Sequence, residues 1–221
     1  MNKFLSVLTV VILLSLSGCI NYVQEMIIYP DGSGKLKINY WMDYREGESV
    51  PVLEAIGLFN PDSIKKEFSS EFTTVTYVEA KTDTSDSTLH AIVHLDFTHV
   101  DSLSKLKVFS QYEFSLKDGA SGQKIYTQFI PPITTGFGID GSKYSITYNI
   151  DFRGDIVTHN ATQKYGQILS WSYSLPEIGR GKTISVTFKP FKLKETPYWI
   201  YILTGIVLLV VVIFLFKKKK D

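Results

Sequence analysis

The sequence predicts an α+β fold: a mainly antiparallel β-sheet with one or two short helices packed on it, plus one C-terminal transmembrane helix. Three observations lead there. Several segments alternate polar with apolar residues, as strands with one buried face do. A single soluble stretch, residues 52–72, carries apolar residues at helical spacing. Residues 198–216 are unbroken apolar sequence. Of 221 residues, 44% are hydrophobic and 14% aromatic, which suffices for one sizeable packed core.

The chain begins with a signal, residues 1–18. Asn2-Lys3 gives a charged start, and the apolar run from Phe4 to Leu16 is too short to span a bilayer. It closes on Leu16-Ser17-Gly18-Cys19, which contains the only cysteine. A small Ser-Gly pair before a cysteine suits the narrow site of a bacterial lipoprotein signal peptidase. The mature protein is therefore expected to start at Cys19, bearing covalent diacylglycerol and fatty acyl chains of the palmitate kind. One cysteine leaves no thiol for an internal disulfide, so stability must come from the core.

Residues 19–190 read as the exported domain. Tyr22 to Tyr29 and Lys35 to Met42 flank the turn Pro30-Asp31-Gly32-Ser33-Gly34, a hairpin with Leu36, Ile38, Tyr40 and Met42 facing inward. Val52 to Leu58 has helical spacing. A second helix follows Asn60-Pro61, with Ile64, Phe68 and Phe72 on one face and Asn60 or Ser63 as its cap. Thr73 to Lys81 pairs with Thr88 to His99 across a polar turn. Asp101 is read as the cap of a helical turn that runs to Leu106. Tyr112 to Leu116 and Gln123 to Ile130 form a third hairpin, ended by Pro131-Pro132. Thr134 to Ser142 is a Gly-rich loop. Tyr144 to Phe152, Ile168 to Leu175 and Thr183 to Lys189 alternate cleanly, and are expected to form an antiparallel sheet with one face packed and one wet.

Residues 191–197 form a juxtamembrane linker and residues 198–216 the transmembrane helix, closed by the basic tail 217–221. The span has the length of a bilayer core, with Tyr198, Trp199 and Tyr201 where amphipathic rings prefer the headgroup zone. A signal that exports the domain makes the later span run inward, and Lys217 to Lys220 suit a cytoplasmic end. The expected location is the cytoplasmic membrane, lipid-anchored and single-pass. Arg180, Lys182, Lys189, Lys192 and Lys194 approach this span. They are candidate contacts for anionic headgroups or, alternatively, the solvated edge of the last strands and a linker.

Composition and motifs exclude several functions. Without Lys3 and the tail, 18 basic and 21 acidic residues remain, so the exported part lacks the basic excess that nucleic acid demands. The Gly-x-Gly of the glycine-rich loop has no Gly-Lys-Ser/Thr, and there is no Gly-x-Ser-x-Gly elbow. His90, His94 and Asp96 share a strand face, but residues four apart on a strand stand about 13 Å from each other, too far for a shared ion. No enzyme activity, cofactor or metal site is expected.

The signal with its Leu16-Ser17-Gly18-Cys19, the Pro30-Asp31-Gly32 turn and the late strands together resemble the LppM-type domain family of bacterial membrane-anchored lipoproteins. The stretch Ile150 to Ala161, then Gly166 and Ser170-Trp171-Ser172-Tyr173, carries the likeness through Gly154, Asn160, Gly166 and Trp171. Arg153 stands where the family often has proline, and Ala161 where it often has glycine. The resemblance covers roughly residues 16 to 216. It implies a β-rich α+β exported domain that binds lipid or glycolipid, and it defines no catalytic residues. Aromatics beyond the need of a thin sheet, among them Tyr22, Tyr40, Trp41, Phe59, Phe68 and Trp171, either line such a cleft or fill the core. The alternative function is an envelope scaffold or sensor acting through protein contacts. The residues name no protein partner.

Overall fold

The computed structural model describes residues 21–43, 57–133, 142, 144–191 and 198–217. The chain divides into two units, residues 1–191 and 192–221. In chain order the first unit runs β1 (Asn21–Ile28), β2 (Gly34–Asp43), α1 (Pro61–Phe68), β3 (Thr73–Asp83) and β4 (Thr88–Phe97). Two 3₁₀ turns, Val100–Lys105 and Lys107–Phe109, lead into β5 (Glu113–Asp118) and β6 (Lys124–Ile130). After these come β7 (Ser145–Phe152), β8 (Gly154–His159), β9 (Gln163–Tyr165), β10 (Ile168–Ser174), α2 (Leu175–Ile178) and β11 (Lys182–Pro190).

The strands form two sheets. The larger has the order β3-β4-β2-β1-β7-β10-β9 and the smaller β5-β6-β11-β8. Neighbours are antiparallel except β1 and β7, which run parallel in the middle of the large sheet. The three expected hairpins are present as β1-β2, β3-β4 and β5-β6. The single sheet expected of the last three alternating strands is not: β7 and β10 pair, while β11 lies between β6 and β8 in the other sheet. Alternation states that one strand face is buried, not what buries it. The Phe152 ring of the large sheet sits 5.4 Å from Tyr126 and 5.0 Å from Phe188, both of the small one. The core is thus built from inner faces that pack on each other.

Local chemistry sets the turns. Asp31 accepts from the Ser33 amide and hydroxyl at 3.0 and 2.7 Å, and Gly32 supplies the positive φ of +88° that the turn needs. At Gly34 a Cβ would stand 2.0 Å from the Ile27 carbonyl oxygen and 2.4 Å from the Phe97 ring, so only glycine lets these strands close. Asn60 caps α1, its side chain accepting from the Asp62 and Ser63 amides, with Pro61 in the first turn. The helix stops at Phe68 rather than reaching Phe72. Ser69 turns its hydroxyl back to the Lys65 carbonyl, and Ser70 bonds Thr73, giving the backbone a competing set of partners. Phe72 instead lies under Lys105, whose ammonium is 4.2 Å from the ring centre.

The turn near Asp101 is 3₁₀, and its cap is His99, whose ring accepts from the Asp101 amide. Asp101 itself accepts from the Leu116 amide at 2.7 Å, and Ser104 from the Phe114 amide at 3.0 Å. These two bonds cover the open edge of β5. Strands β8 and β9 and helix α2 had no clear sequence signal. Val52–Leu58 and Thr134–Ser142 fall almost wholly outside the described residues.

Asn160 joins the sheets. Its side-chain oxygen accepts from the Trp171 indole at 3.0 Å and from the Ser185 amide at 2.9 Å, while its nitrogen donates to the Thr183 carbonyl at 2.7 Å. Trp171 belongs to the large sheet and is fully buried; Thr183 and Ser185 belong to the small one.

The second unit contains α3 (Tyr198–Lys217), of 20 residues. Its segment Tyr198–Leu215 has a mean hydropathy of 2.7, so this helix is long and apolar enough to cross a membrane.

The role of Asn160 gives a stability prediction. Asn160→Ala strands the buried indole N–H and should cost about 2 kcal/mol, read as a lower urea midpoint. Asn160→Asp keeps the acceptor for Trp171 and Ser185 but sets a carboxylate oxygen against the Thr183 carbonyl, so it too should lower the midpoint. Equal midpoints for wild type and Asn160→Ala would show that the sheets do not depend on this tie.

Candidate functional site

Two strands, one helix and a 3₁₀ turn surround a cleft of about 330 Å³. On β1 and β2, Tyr22, Ile38 and Tyr40 point to the inner side of the large sheet. Ile64 and Phe68 of α1 face them, and Val108, Phe109 and Tyr112 close the far wall. The walls brace each other through their rings. Phe109 lies 6.0 Å from Phe68, 5.4 Å from Tyr112 and 5.3 Å from Phe114, all edge to face. Tyr40 donates to the Leu58 carbonyl and packs 5.4 Å from Phe59. Among the described residues Glu67 is the one charged residue on the lining, and it pairs with Lys107 at 3.5 Å.

Behind this wall the interior turns polar. Tyr22 donates to Gln24 at 3.0 Å, and Tyr126 donates to Gln128 at 2.8 Å. Burial, then the neighbouring phenols Tyr112 and Tyr126, pushes Tyr22 well above the ordinary phenol value. Burial likewise raises Tyr126, Tyr148 and Tyr112. Tyr40 is raised by burial and then by Glu67. The site therefore keeps its phenols neutral, and resists a buried negative charge.

The aromatics singled out in the sequence divide between cleft and core. Tyr22, Tyr40 and Phe68 line the cleft. Phe59 and Trp171 are core residues at 1% and 0% exposure. Trp41 points to the outer face, stacked 5.5 Å from His90. Phe109, Tyr112, Gln24 and Gln128 were missed. The two aromatics flank or occupy a 3₁₀ turn, which has no periodic signature. The glutamines had a signal: each occupies an inward position of an alternating strand.

Cys19, Lys192 and Lys194 lie outside the described residues. Arg180 is exposed on the loop between α2 and β11. Lys182 sits 5.7 Å from the Tyr173 ring centre, whereas Lys189 is exposed at the opposite end of β11, about 23 Å along the strand. Those two cannot share one headgroup. His90, His94 and Asp96 occupy the outer face of β4, and each has its own partner. His90 bonds Thr88 at 2.9 Å, His94 packs 5.0 Å from the Tyr77 ring, and Lys35 lies 3.7 Å from Asp96. That face also holds a hollow of about 350 Å³ beside Ile27, Lys35, Lys37 and Ile168.

The buried phenols set a pH dependence. In the unfolded chain they ionise near 10.0, while in the fold they hold their protons to higher pH. Their contribution is fully present below about pH 10 and falls as the pH rises beyond it. The urea midpoint should drop between about pH 9 and about pH 11, with Tyr22, Tyr126 and Tyr148 silent in the 295 nm absorbance titration until unfolding. Phenolate absorbance that rises fully in the folded state would contradict the burial.

No family model matches the sequence, and no curated protein matches it. Among solved structures, the chain is similar to the NMR structure of the folded domain of Mycobacterium tuberculosis LppM, at 11% sequence identity and a TM-score of 0.51. The match covers 79% of this chain and 91% of that one. The likeness first carried by short turn-and-strand motifs is thus a likeness of the whole fold, and the first unit of this chain has the fold of the LppM domain.

Proposed function

We propose that this chain is a noncatalytic, membrane-anchored envelope lipoprotein whose folded domain binds a lipid or glycolipid. The observation that carries the reading is the aromatic cleft bounded by Tyr22, Tyr40, Phe68, Phe109 and Tyr112, about 330 Å³ in volume. That is within the range of small-molecule sites, and its apolar walls suit an acyl chain. The fold shared with the LppM domain supports the envelope assignment.

The anchors fit the same reading. Acylation at Cys19 and a span through α3 together hold far more firmly than one acyl chain. Cys19 is three residues from Tyr22, so an extended chain of about 11 Å would connect the acylated end to the cleft wall. The cleft would then open close to the bilayer that supplies its ligand. The charged tail Lys217 to Lys220 suits a cytoplasmic end, with the domain on the extracytoplasmic side.

A second reading, a scaffold or sensor that docks a protein, draws support from the outer sheet face. Ile168 and Tyr165 are exposed there at 43% and 65%.

Full-length protein extracted in mild detergent should retain one lipid in native mass spectrometry. Val108→Trp, which puts an indole into the cleft, should retain none. Wild-type protein free of lipid would contradict the binding reading. Separately, wild-type protein should carry acyl mass that Cys19→Ser lacks, with α3 keeping the variant in the membrane pellet. A wild type without acyl mass would overturn the lipoprotein assignment.

A further inference from the structure

Four buried side-chain atoms have no partner within hydrogen-bond distance among the described residues: Gln24 Nε2, Gln128 Nε2, the Tyr148 hydroxyl, which has the Tyr112 hydroxyl as its polar neighbour, and Asp151 Oδ1 on the outer face. The three inward-facing residues, Gln24, Gln128 and Tyr148, are at 0% exposure. Each glutamine has already used its oxygen, one on Tyr22 and the other on Tyr126. What is left over at the two amides is donor capacity. A buried polar group left unpaired costs about 1–3 kcal/mol, and folded proteins rarely leave one so.

These inward-facing groups sit behind the cleft. Gln24 and Tyr148 are directly opposed on β1 and β7, side by side on the inner face. The Tyr148 ring lies 5.9 Å from that of Tyr22. Gln24 is opposed on β2 by Ile38, and both Ile38 and Tyr22 line the cleft. Gln128 belongs to the facing sheet, bonded to Tyr126, whose ring packs on Phe152, four residues beyond Tyr148.

The chemistry of the leftover donors selects their ligand. None of the groups that make up this cluster is cationic, so it offers nothing to balance a phosphate or carboxylate. A hydroxyl would bring a donor of its own, and each Oε1 has already given one of its two lone pairs to a phenol. A carbonyl oxygen brings two lone pairs and donates nothing.

We propose that the inner end of the cleft is a carbonyl-binding subsite. In it Gln24 Nε2 and Tyr148 Oη, with Gln128 Nε2 from the facing sheet, hold the ester or amide carbonyl oxygen of an acyl chain lying along Tyr22, Phe109 and Tyr112. The proposal rests on the lipid-binding reading above and names the part of the lipid that is recognised.

The test uses the full chain in phosphatidylcholine nanodiscs and two photoreactive probes. One is a diazirine-bearing oleoyl glycerol ester, the other its ether counterpart, which lacks the carbonyl. At limiting probe, the ester should label peptides containing Tyr22 or Tyr112 roughly tenfold more than the ether, the worth of one hydrogen bond to a buried donor. Gln24→Leu/Gln128→Leu should erase that preference and leave ether labelling unchanged. Its melting temperature should fall, because the Tyr22 and Tyr126 hydroxyls lose the oxygens that accept from them. Gln24→Met, close to glutamine in shape, should reduce the preference in the same way and serves if the double variant does not fold. Equal labelling by ester and ether in wild type overturns the carbonyl subsite and leaves lipid binding standing. Labelling by neither probe overturns both, and a preference that survives in the variants overturns the assignment to these residues.

Discussion

The side-chain alternation of β1 governs the interior of this domain. Both edges of the strand are occupied, by β2 and by β7, so its register is fixed on two sides. Tyr22, Gln24, Met26 and Ile28 must then face inward together. A slip of one residue would bury Glu25 instead, at a cost no interior of this kind could offset. Burying Gln24 is therefore a consequence of burying Met26 and Ile28. Read from Ile28 back to Tyr22, the inner face changes character. Ile28 and Met26 lie level with Phe152 and Ile150 in a filled core, whereas Gln24 and Tyr22 lie level with Tyr148 and Ile146, where the aromatic cleft opens.

The second sheet closes the filled end. Phe188 and Tyr126 pack on Phe152, and Asn160 ties Trp171 to β11 from outside the core. At the other end the cover is helical, with α1 and the 3₁₀ turns held by Asn60, Asp101 and Ser104 through side-chain bonds to backbone amides. A cover of short capped segments leaves gaps that a continuous sheet would fill. The cleft lies under that cover.

Much of the fold was legible because its signals are local. The Pro30 to Gly34 turn, the alternation in β2 and β7 and the Asn60-Pro61 start of α1 each follow from residues next to one another. The division into two sheets was not legible, because β11 alternates as β7 does and nothing in either strand names the layer that buries it. Strand β8 gave little signal, being an edge strand with Asp155, Val157, Thr158 and His159 all exposed. The end of α1 was set by Ser69 and Ser70, whose hydroxyls compete with the helix backbone, against an apolar spacing that pointed on to Phe72. In the site, Tyr22, Tyr40 and Phe68 could be suspected as surplus aromatics. Gln24 and Gln128 could have been found from their place in otherwise apolar registers, while Phe109 and Tyr112 depend on a turn that has no period.

The central claim is that an acyl chain occupies the aromatic cleft. It is tested most directly by intermolecular nuclear Overhauser effects between a protonated acyl lipid and the rings of otherwise deuterated full-length protein. The account predicts cross-peaks from the chain methylenes to Tyr22, Phe109 and Tyr112. Cross-peaks confined to Ile27 and Ile168 on the outer sheet face, or to α3 alone, would contradict it.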